Sequence, residues 1–444
     1  MKVSTEKPQR KISSVNFRNK TRILIMIIGL ICVTIAQMNS LTFNFSVICM
    51  DDLKIANSTE LHWIHDQSKI SALFSATGIG AFIGLLPAVP LLSKFGVRYI
   101  LTICGACSAV GTLLFPVAVD AHFYFAFLCR LLQGLGISII FSVIGIIPVY
   151  WAPNMEMGTF LAILSCALQF SNIICMPVSG ILCESSFGWR SIYYSFGVVT
   201  IIFYAIFFWF YADAPRVHRN VSEKELSRIE NGKGSQQREA VPYIAVMTDL
   251  TVLMCWLSAF GGHVGFYLLI LYGPTYLREV LHFDVTSTGF ASALPFIFSA
   301  IVKALAGPLS DRLVFVSEKA RFTICLIVSQ FGMAAALVVM ALTTNRTVAQ
   351  IAYTLAITAS GLNVMGLLKC CQIRACQHVH FVIAFISFCV CVIQFDNSPD
   401  QWSRLYIIVA ILVVVTNIPF PFFTSDQPAE FTKTKNAKEQ DISV

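Results

Sequence analysis

The sequence predicts an all-α integral membrane protein with about twelve transmembrane helices, and three observations indicate this class. Twelve apolar stretches follow one another along the 444 residues, and each is about twenty residues long, enough to cross the hydrocarbon core of a bilayer as a helix. Hydrophobic residues make up 56% of the chain and charged residues only 12%, whereas soluble domains carry about 25% charged residues. Lipid offers no partner to backbone polar groups, so the chain must satisfy them within helices.

The predicted spans leave one long break, residues 213–248, which is rich in charge. Within it, Ser222 followed by Glu225 predicts a capped start of a short amphipathic helix. The approximate spans are 23–48, 70–92, 99–119, 122–148, 158–182, 192–212, 250–273, 289–309, 321–342, 348–369, 379–395 and 405–423. We therefore expect a cytosolic tail 1–22, a six-helix half 23–212, a cytosolic loop 213–248, a six-helix half 249–423 and a cytosolic tail 424–444.

Basic residues in the short loops predict the orientation of the chain. Lys94 and Arg98 follow the second span and Arg312 follows the eighth, and such Lys and Arg residues mark cytosolic loops. The opposite loops are acidic or mixed. This orientation places two glycosylation sequons, at Asn57 and Asn345, on the outer side of the membrane.

One basic residue lies inside the fourth predicted span. Arg130 stands about eight residues into it, and a charge at the middle of a membrane helix costs about 2.5–3.5 kcal/mol on insertion scales. Its guanidinium can hold a carboxylate or a phosphate through two parallel hydrogen bonds, which predicts an anion-binding residue. Gln133, one turn later on the same face, is the second candidate. The alternative for both is structural: Arg130 ties helices together through backbone carbonyls, and Gln133 is a polar clamp between helices.

Two more candidates for the substrate-binding set lie near the middle of the seventh span, His263 and Tyr267. An imidazole titrates near neutral pH and is therefore suited to couple proton movement to transport. The alternative for His263 is a hydrogen-bonded packing residue. Lys303, in the eighth span, lies about one and a half turns from the predicted cytosolic end, so we expect its stem to snorkel outward.

The 15 cysteines do not predict a disulfide framework. Most of them lie inside apolar stretches, where a free thiol behaves as a small hydrophobe. One group of Cys and His residues has a spacing that matches no zinc pattern, so we expect no metal site and interpret the group as a reduced cytosolic loop. Its members are Cys370, Cys371, Cys376, His378 and His380. No cofactor is predicted, and Na⁺ and H⁺ both stay open as coupling ions.

Four short motifs stand in one order along the chain. They are Arg130-Leu131-Leu132-Gln133-Gly134, Trp151-Ala152-Pro153, the segment 188–197 beginning Gly188-Trp189-Arg190, and the segment 274–281 beginning Pro274-Thr275-Tyr276-Leu277. In this order they resemble the anion and phosphate symporters of the major facilitator superfamily, the group related to sialin and the vesicular glutamate transporters. The resemblance implies about twelve helices in two six-helix halves around a central site, and it implies that Arg130 is a substrate-site or coupling-site arginine.

The loops after the second and eighth spans, residues 91–98 and 307–312, are related to each other. Both resemble the loop signature of the superfamily, Gly-x-Leu-Ala-Asp-Arg-x-Gly-Arg. The residues that the resemblance assigns to gating are Lys94, Arg98, Asp311 and Arg312. In the first copy Ser93 replaces the Asp, an acid that normally caps a neighbouring helix, so we expect one closed state of the cytosolic gate to be weakened.

The chain departs from these relatives at several charged positions. Thr42 stands where they carry an arginine, and Ile137 where they carry a glutamate tied to proton coupling. The glutamate carriers among them have a histidine at the position of Phe74 and an arginine at that of Gly262. A dicarboxylate would lose one cationic clamp on each half, so we expect a smaller or singly charged anion such as inorganic phosphate, and not glutamate. The missing glutamate favours sodium coupling or facilitated movement over proton symport.

The predicted function is secondary active transport of a small anion by alternating access. We expect a monomer with cytosolic termini in the plasma membrane or an endolysosomal or vesicular membrane, with an anionic solute and the lipid bilayer as partners and no nucleic acid. The alternative is a non-transporting receptor or scaffold, motivated by the missing acid and by a short eleventh span, since about fifteen residues separate His380 from Asp396. The spans carry no nucleophile elbow, phosphate loop or His/Glu metal motif, so the sequence predicts no enzyme and no catalytic residue.

Overall fold

The computed structural model describes residues 17, 19–50, 53, 62–231, 242–312, 317–343, 345–363, 366–367, 369–375 and 399–432. Within these residues, ten helical segments are long and apolar enough to cross a membrane. They are Thr21–Cys49, Gln67–Ala88, Lys94–Ala121, Phe123–Trp151, Met157–Glu184, Arg190–Phe210, Leu250–Val280, Val285–Leu305, Glu318–Leu342 and Gln401–Phe423. They correspond to the first nine predicted spans and the twelfth, which confirms the all-α membrane class. The predicted eleventh span, 379–395, lies outside the described residues.

The α-helices of the described chain are numbered here in chain order. They are α1 (Thr21–Ser46), α2 (Gln67–Ala121), α3 (Phe123–Ile137), α4 (Ile140–Trp151), α5 (Met157–Ser165), α6 (Ala167–Glu184), α7 (Arg190–Phe210), α8 (Glu223–Glu230), α9 (Tyr243–Thr248), α10 (Leu250–Thr275), α11 (Val285–Arg312), α12 (Glu318–Leu342), α13 (Arg346–Ser360), α14 (Lys369–Ala375), α15 (Pro399–Asn417) and α16 (Phe420–Phe423). The N-terminal half is α1–α7 and the C-terminal half is α10–α16.

Some predicted spans are interrupted. The fourth consists of α3 and α4, and the fifth consists of α5 and α6, which are separated at Cys166. The tenth predicted span, 348–369, is interrupted as well, because the regular helix α13 ends at Ser360. There the N–H of Gly361 bonds the carbonyl of Thr358 at 3.0 Å, so a three-residue turn replaces the helical bond.

The second and third predicted spans form one long helical stretch, α2, with a sharp kink at Gly96. Gly96 has φ 81°, in the region that side chains rarely adopt and that favours glycine. A Cβ atom at this position would also meet the carboxylate of Asp213. The kink turns the chain back across the membrane, so α2 supplies two spans.

Buried apolar side chains form three clusters. One lies at the end of the helices that carries Cys49 and Cys183, here called the disulfide end, and it contains side chains of both halves. The opposite end, here called the loop end, has one cluster from the N-terminal half and another from the C-terminal half. Among the described residues, the apolar core is therefore continuous between the halves only at the disulfide end.

Cys49 and Cys183 form a disulfide, and their Cα atoms are 6.2 Å apart, within the usual range for such a bond. The expectation of free thiols is wrong for this pair, because the two cysteines lie at adjoining helix ends rather than deep within the spans. Cys370 and Cys371 lie in helix α14 with buried side chains, not in an open loop. Cys376, His378 and His380 lie outside the described residues.

Candidate functional site

Close packing of α2 against α3 positions Arg130. Helix α3 begins at Phe123, and the side chain of His122 caps it by accepting the N–H of Tyr124. A Cβ atom on Gly80 of α2 would lie 3.1 Å from the Cα atom of Gly134 on α3, so only glycine permits this approach. The contact brings the guanidinium of Arg130, two turns into α3, within reach of the backbone of α2.

Arg130 is fully buried and its guanidinium donates four hydrogen bonds. Nε donates to the carbonyl of Leu73 at 3.2 Å, and Nη1 donates to the carbonyl of Ser40 at 3.0 Å and to Oε1 of Gln133 at 2.6 Å. Nη2 donates to Oγ1 of Thr77 at 3.3 Å. The predicted juxtaposition of Arg130 and Gln133 is confirmed, and Arg130 joins α1, α2 and α3.

A polar network extends from Gln133 across the N-terminal half. Nε2 of Gln133 donates to Oγ1 of Thr112 at 3.1 Å, and Thr112 donates to the carbonyl of Ser108 at 2.8 Å. Nδ2 of Asn39 donates to the hydroxyls of Ser108 and Thr200 at 3.0 and 2.9 Å. These network members were not predicted, because single Ser, Thr and Asn residues in apolar stretches carry no pattern that marks them.

No carboxylate balances the charge of Arg130 within the described spans. Their acidic residues all lie at a span end or one residue from it: Asp120, Glu184, Glu279 and Glu318. Arg130 is therefore held by neutral acceptors only, together with the ring of Phe43, whose centroid is 5.0 Å from the guanidinium carbon. A cation in such surroundings attracts an anion strongly, because the low dielectric screens its charge little.

An aromatic contact between the halves lies next to Arg130 on the disulfide side. The ring of Phe43 contacts that of Phe74 at 5.0 Å between centroids, and Phe74 contacts Tyr272 of the C-terminal half at 4.7 Å. The sequence marked Phe74 only as a replaced histidine. Its contact with Tyr272 joins the two halves beside the cation.

His263 and Tyr267 lie together at the middle of α10. Nδ1 of His263 is 2.8 Å from the carbonyl of Ala259, one turn earlier, and its ring centroid is 6.0 Å from that of Tyr267. Both side chains are half-buried. Among the described residues, this pair makes no hydrogen bond or ring contact with Arg130 or Gln133, so the structure holds two separate polar groups.

Lys303 is not a snorkelling side chain, so that prediction is wrong. It is only 8% exposed, and its ammonium donates to the carbonyl of Ser165 at 2.9 Å and to Oε1 of Gln169 at 3.5 Å. The reason is that α11 packs against α6, so the stem turns toward the N-terminal half and not toward the membrane surface.

The predicted gating residues of the first half lie at the kink in α2. Lys94 is exposed, with Nζ 5.3 Å from the ring centroid of Phe95. The backbone N–H of Arg98 donates to Oδ1 of Asp213 at 3.1 Å, and Nε donates to the carbonyl of Phe208 at 2.7 Å. Asp213 thus supplies the helix-capping carboxylate that Ser93 lacks. The side chains of Asp311 and Arg312 lie outside the described residues.

An ion network joins α8 to the loop end of the N-terminal half. The predicted cap is confirmed, since Ser222 Oγ accepts the N–H of Glu225 at 3.1 Å. Arg22 bonds Glu156 at 3.1 Å through Nε and Glu225 at 3.0 Å through its backbone N–H, and Arg228 bonds Glu156 at 2.6 Å. Burial alone raises the pKa of Glu156, but its bonds to Arg22 and Arg228 outweigh this and leave the pKa below its ordinary value.

The two predicted glycosylation sites differ in what the structure describes. Asn345 is exposed and caps α13, with Oδ1 accepting the N–H groups of Thr347 at 2.9 Å and Val348 at 3.3 Å. The amide nitrogen that would carry a glycan is not used in these bonds. Asn57 lies outside the described residues.

The chain is similar to a known family and to known proteins. A model described as Major Facilitator Superfamily matches residues 24–395. Sialin of Homo sapiens is 32% identical over 238 residues, which cover 53% of this chain and 48% of sialin. Sodium-dependent phosphate transport protein 1 of Homo sapiens is 28% identical over 256 residues, which cover 56% of this chain and 54% of that protein. The chain thus spans about half the length of these two curated relatives.

A likeness to a solved structure extends over most of the chain. The crystal structure of a D-xylose-proton symporter superposes with a TM-score of 0.69 at 15% identity, covering 91% of this chain and 98% of that one. An identity this low supports the fold alone. It agrees with the predicted arrangement of two helical halves.

Proposed function

This chain belongs to the major facilitator superfamily, and on that premise we propose that it is a secondary transporter that moves a small anion by alternating access. It is a multi-pass membrane protein. Its relatives include a protein named for phosphate transport. A transport protein among the relatives agrees with the prediction that the chain is not an enzyme. The substrate, the coupling ion and the transport activity itself belong to the proposal.

The observation that carries this proposal is the surroundings of Arg130. A fully buried guanidinium with only neutral acceptors is costly to keep in a membrane protein, and an intramembrane charge of this kind favours a functional site. An arriving oxyanion would displace Gln133 and Thr77 and accept hydrogen bonds from the two guanidinium N–H groups that they occupy. The polar network behind Gln133 can form new hydrogen bonds after such an exchange, because Ser, Thr and Asn side chains can donate or accept hydrogen bonds.

The distribution of apolar contacts supports alternating access. One apolar cluster joins the halves at the disulfide end, whereas each half has its own cluster at the loop end. In a transporter whose halves rock about a central site, this corresponds to a conformation closed at the disulfide end. Separation of Phe74 from Tyr272 would open that end.

The chemistry of the interior favours a small anion without an obligatory proton. Arg130 is the single arginine deep within a described span, so we propose a singly charged or small oxyanion such as inorganic phosphate. The described spans hold no central carboxylate to carry a proton, which favours sodium coupling or facilitated movement.

His263 is the titratable group that proton coupling would use. If uptake is coupled to protons, replacing His263 with glutamine should flatten the pH dependence of uptake. An unchanged pH profile removes His263 from coupling.

The disulfide supports the proposed orientation. Disulfides persist in oxidising compartments, so the end that carries Cys49 and Cys183 faces the extracellular space or an organelle lumen. The basic loop end then faces the cytosol together with both termini. The same orientation places Asn345 on the outer side, where a glycan can be attached. We propose a monomer in the plasma membrane or an endolysosomal or vesicular membrane.

One observation favours the alternative, a non-transporting receptor or scaffold that keeps the fold. A guanidinium has five N–H groups, and four of those of Arg130 already bond protein atoms. A residue this well bonded also suits a purely structural tie between α1, α2 and α3. The two functions differ in whether an anion can displace Gln133 and Thr77.

Uptake by purified protein in proteoliposomes decides between them. Labelled phosphate and lactate are offered with sodium and proton gradients varied separately, and Arg130→Ala is compared with wild type. Arg130→Ala removes the cation that pairs with the bound anion. Loss of such a partner at a buried site costs about 3–5 kcal/mol, so we expect uptake by this variant to fall at least about a hundredfold. The control is Arg190→Ala, whose exposed pair with Asp120 at 2.9 Å lies at the disulfide end. Wild-type-like uptake by a folded Arg130→Ala protein, or no anion uptake by wild type, contradicts the proposal.

A further inference from the structure

Lys303 lies at a different depth from Arg130. Both α3 and α11 begin at the disulfide end; Arg130 is seven residues from Phe123, and Lys303 is eighteen residues from Val285. At 1.5 Å per residue these distances are about 10.5 and 27 Å, so the two cations differ in depth by about 16.5 Å along their helices. One small anion cannot bridge them, and Lys303 lies toward the loop end.

The contact of Lys303 is built around the break between α5 and α6. In a continuous helix the N–H of Gln169 would bond the carbonyl of Ser165, but here it bonds the carbonyl of Cys166 at 3.0 Å. The ammonium of Lys303 donates to the carbonyl of Ser165 at 2.9 Å. A residue of the C-terminal half thus bonds the broken fifth span of the N-terminal half.

The ammonium of Lys303 is incompletely satisfied. It has three donors but two contacts among the described residues, and the second, to Oε1 of Gln169, is long at 3.5 Å. No carboxylate of a described residue forms an ion pair with it. Two buried acceptors nearby along the same helices have no hydrogen-bond partner in the described chain: Oγ of Ser299, one turn before Lys303, and Oδ1 of Asn172, one turn after Gln169.

A buried ammonium with few acceptors is unfavourable for a residue whose role is packing. A neutral side chain of similar length would fill the space without the cost of a buried cation, which is large when only neutral dipoles compensate it. The stem of Lys303 is long enough to carry its charge to the membrane surface, yet the structure holds it 8% exposed between the halves. A cation at an interface that must open and close is placed to meet a charged solute.

We propose that Lys303 is a second anion-binding residue, which contacts the carboxylate or phosphate oxygens of the solute once the ammonium leaves the carbonyl of Ser165. The proposal rests on the proposed function, and it adds a second station to the anion path. Arg130 is the station nearer the disulfide end and Lys303 the one nearer the loop end. Separation of α5 and α11 exposes the ammonium with Gln169, whose amide nitrogen can donate a further hydrogen bond to the same anion. An oxyanion passing from the first cation to the second stays partly neutralised on its way out.

The test compares Lys303→Met, Lys303→Arg and Lys319→Met in proteoliposomes with labelled phosphate, or with lactate if wild type moves that probe instead. Lys319 is half-buried at the start of α12, at the same end of the membrane, and its substitution makes the same change of charge. We expect Lys303→Met to raise KM about tenfold, equal to about 1.4 kcal/mol, with less than a twofold change in kcat. Lys303→Arg restores most of the affinity, and Lys319→Met behaves as wild type. A merely structural lysine would change kcat or thermal stability and leave KM alone.

A measurement on wild type keeps the proposal testable if Lys303→Met does not fold. Reductive methylation of lysines is followed by mass spectrometry with and without saturating phosphate or lactate. We expect the transported anion to slow methylation of Lys303 and not of Lys319. An unchanged KM in Lys303→Met, or equal methylation of Lys303 with and without the anion, overturns this inference. If wild type moves the anion and Arg130→Ala abolishes that uptake, the proposed function stands even when the role of Lys303 is overturned. If wild type moves no anion, the proposed function and the role of Lys303 both fail.

Discussion

The two ends of this molecule are held by different forces. At the disulfide end, apolar side chains of both halves form one cluster, and the ring of Phe74 lies 4.7 Å from that of Tyr272 across the division. At the loop end the apolar clusters stay within each half and the ion pairs do so too, while Lys303 bonds the carbonyl of Ser165 across the division. Arg374 bonds Asp249 at 2.5 Å in the C-terminal half, as Arg22 bonds Glu156 at 3.1 Å in the N-terminal half.

This difference indicates which contacts move and which stay. Apolar contacts are non-directional, so the apolar cluster of the disulfide end can separate and close again without matching fixed geometries, and among the described residues only the bonds that Thr286 donates to Glu184 across the division are directional there. Ion pairs require defined positions of both partners, and at the loop end they brace each half as a unit. We therefore expect substitutions in the apolar cluster at the disulfide end to shift the balance of conformations, and substitutions in the loop-end networks to weaken one half while leaving that balance unchanged.

The largest expected effect is that of Phe74→Ala. It removes the ring contacts with Tyr272 and Phe43, and truncation of a buried phenylalanine costs about 3–5 kcal/mol. Because both halves share this contact, the closed disulfide end loses stability relative to the open one. Hydrogen exchange of the protein in nanodiscs should accelerate at the disulfide ends of α1 and α10. Phe125→Ala is the control, since that ring is 59% exposed; equal exchange in the two variants would remove Phe74 from the closure.

Arg22→Ala should have the next largest effect, on the stability of the N-terminal half. The side chain of Glu225 is fully buried and would lose its charged neighbour, the guanidinium of Arg22. This loss costs about 3 kcal/mol, the low end for a broken buried pair, because the backbone N–H of residue 22 still bonds the carboxylate of Glu225. Arg228→Ala removes the other bond to Glu156 from a side chain that is 62% exposed, and it should cost less than about 1 kcal/mol.

Thermal unfolding in detergent measures both arginine variants, and hydrogen exchange at the disulfide end serves as their second readout. A lower unfolding midpoint for Arg22→Ala with unchanged exchange agrees with the comparison of the two ends. Faster exchange at the disulfide end in Arg22→Ala would show instead that the loop-end network takes part in closure.

Asp213→Ala tests the acid that compensates for Ser93. Loss of a helix cap costs about 1 kcal/mol, and Asp213 accepts the N–H of Arg98 at the start of the helical stretch after the kink. The unfolding midpoint should fall by correspondingly less than in Arg22→Ala. Asp120→Ala, which breaks an exposed ion pair, is the control and should change it little. Equal midpoints for the two variants would contradict the capping role.

The smallest expected effect is the pH dependence that Glu156 contributes. Its pKa is held below the ordinary value by Arg22 and Arg228 against the effect of burial. The stabilisation is therefore complete above the ordinary carboxyl pKa of about 4.3 and is lost as pH falls through the lower folded value, by less than about 1 kcal/mol. Below that pH the unfolding midpoint of wild type should approach that of Glu156→Gln, while the two differ at pH 7. A constant difference at all pH values would contradict it.

The sequence predicts much of the fold because membrane spans leave a strong local signal. Nine consecutive spans and the contact between Arg130 and Gln133 follow from length, hydropathy and helical spacing. The partners of these elements do not, since they depend on packing between distant segments. Asp213 caps a helix 115 residues away and Cys49 pairs with a cysteine 134 residues away. Lys303 was misjudged for the same reason, because spacing along one helix does not show which neighbour covers it.

Phe43 touches both the guanidinium of Arg130 and the ring of Phe74. A solute that comes in past Phe74 must therefore push on the very ring against which the cation rests, so capture and admission become a single event. Such a carrier should pass no ionic current when it is empty, because one aromatic side chain, that of Phe43, contacts both the ring at the entrance and the cation that binds the solute.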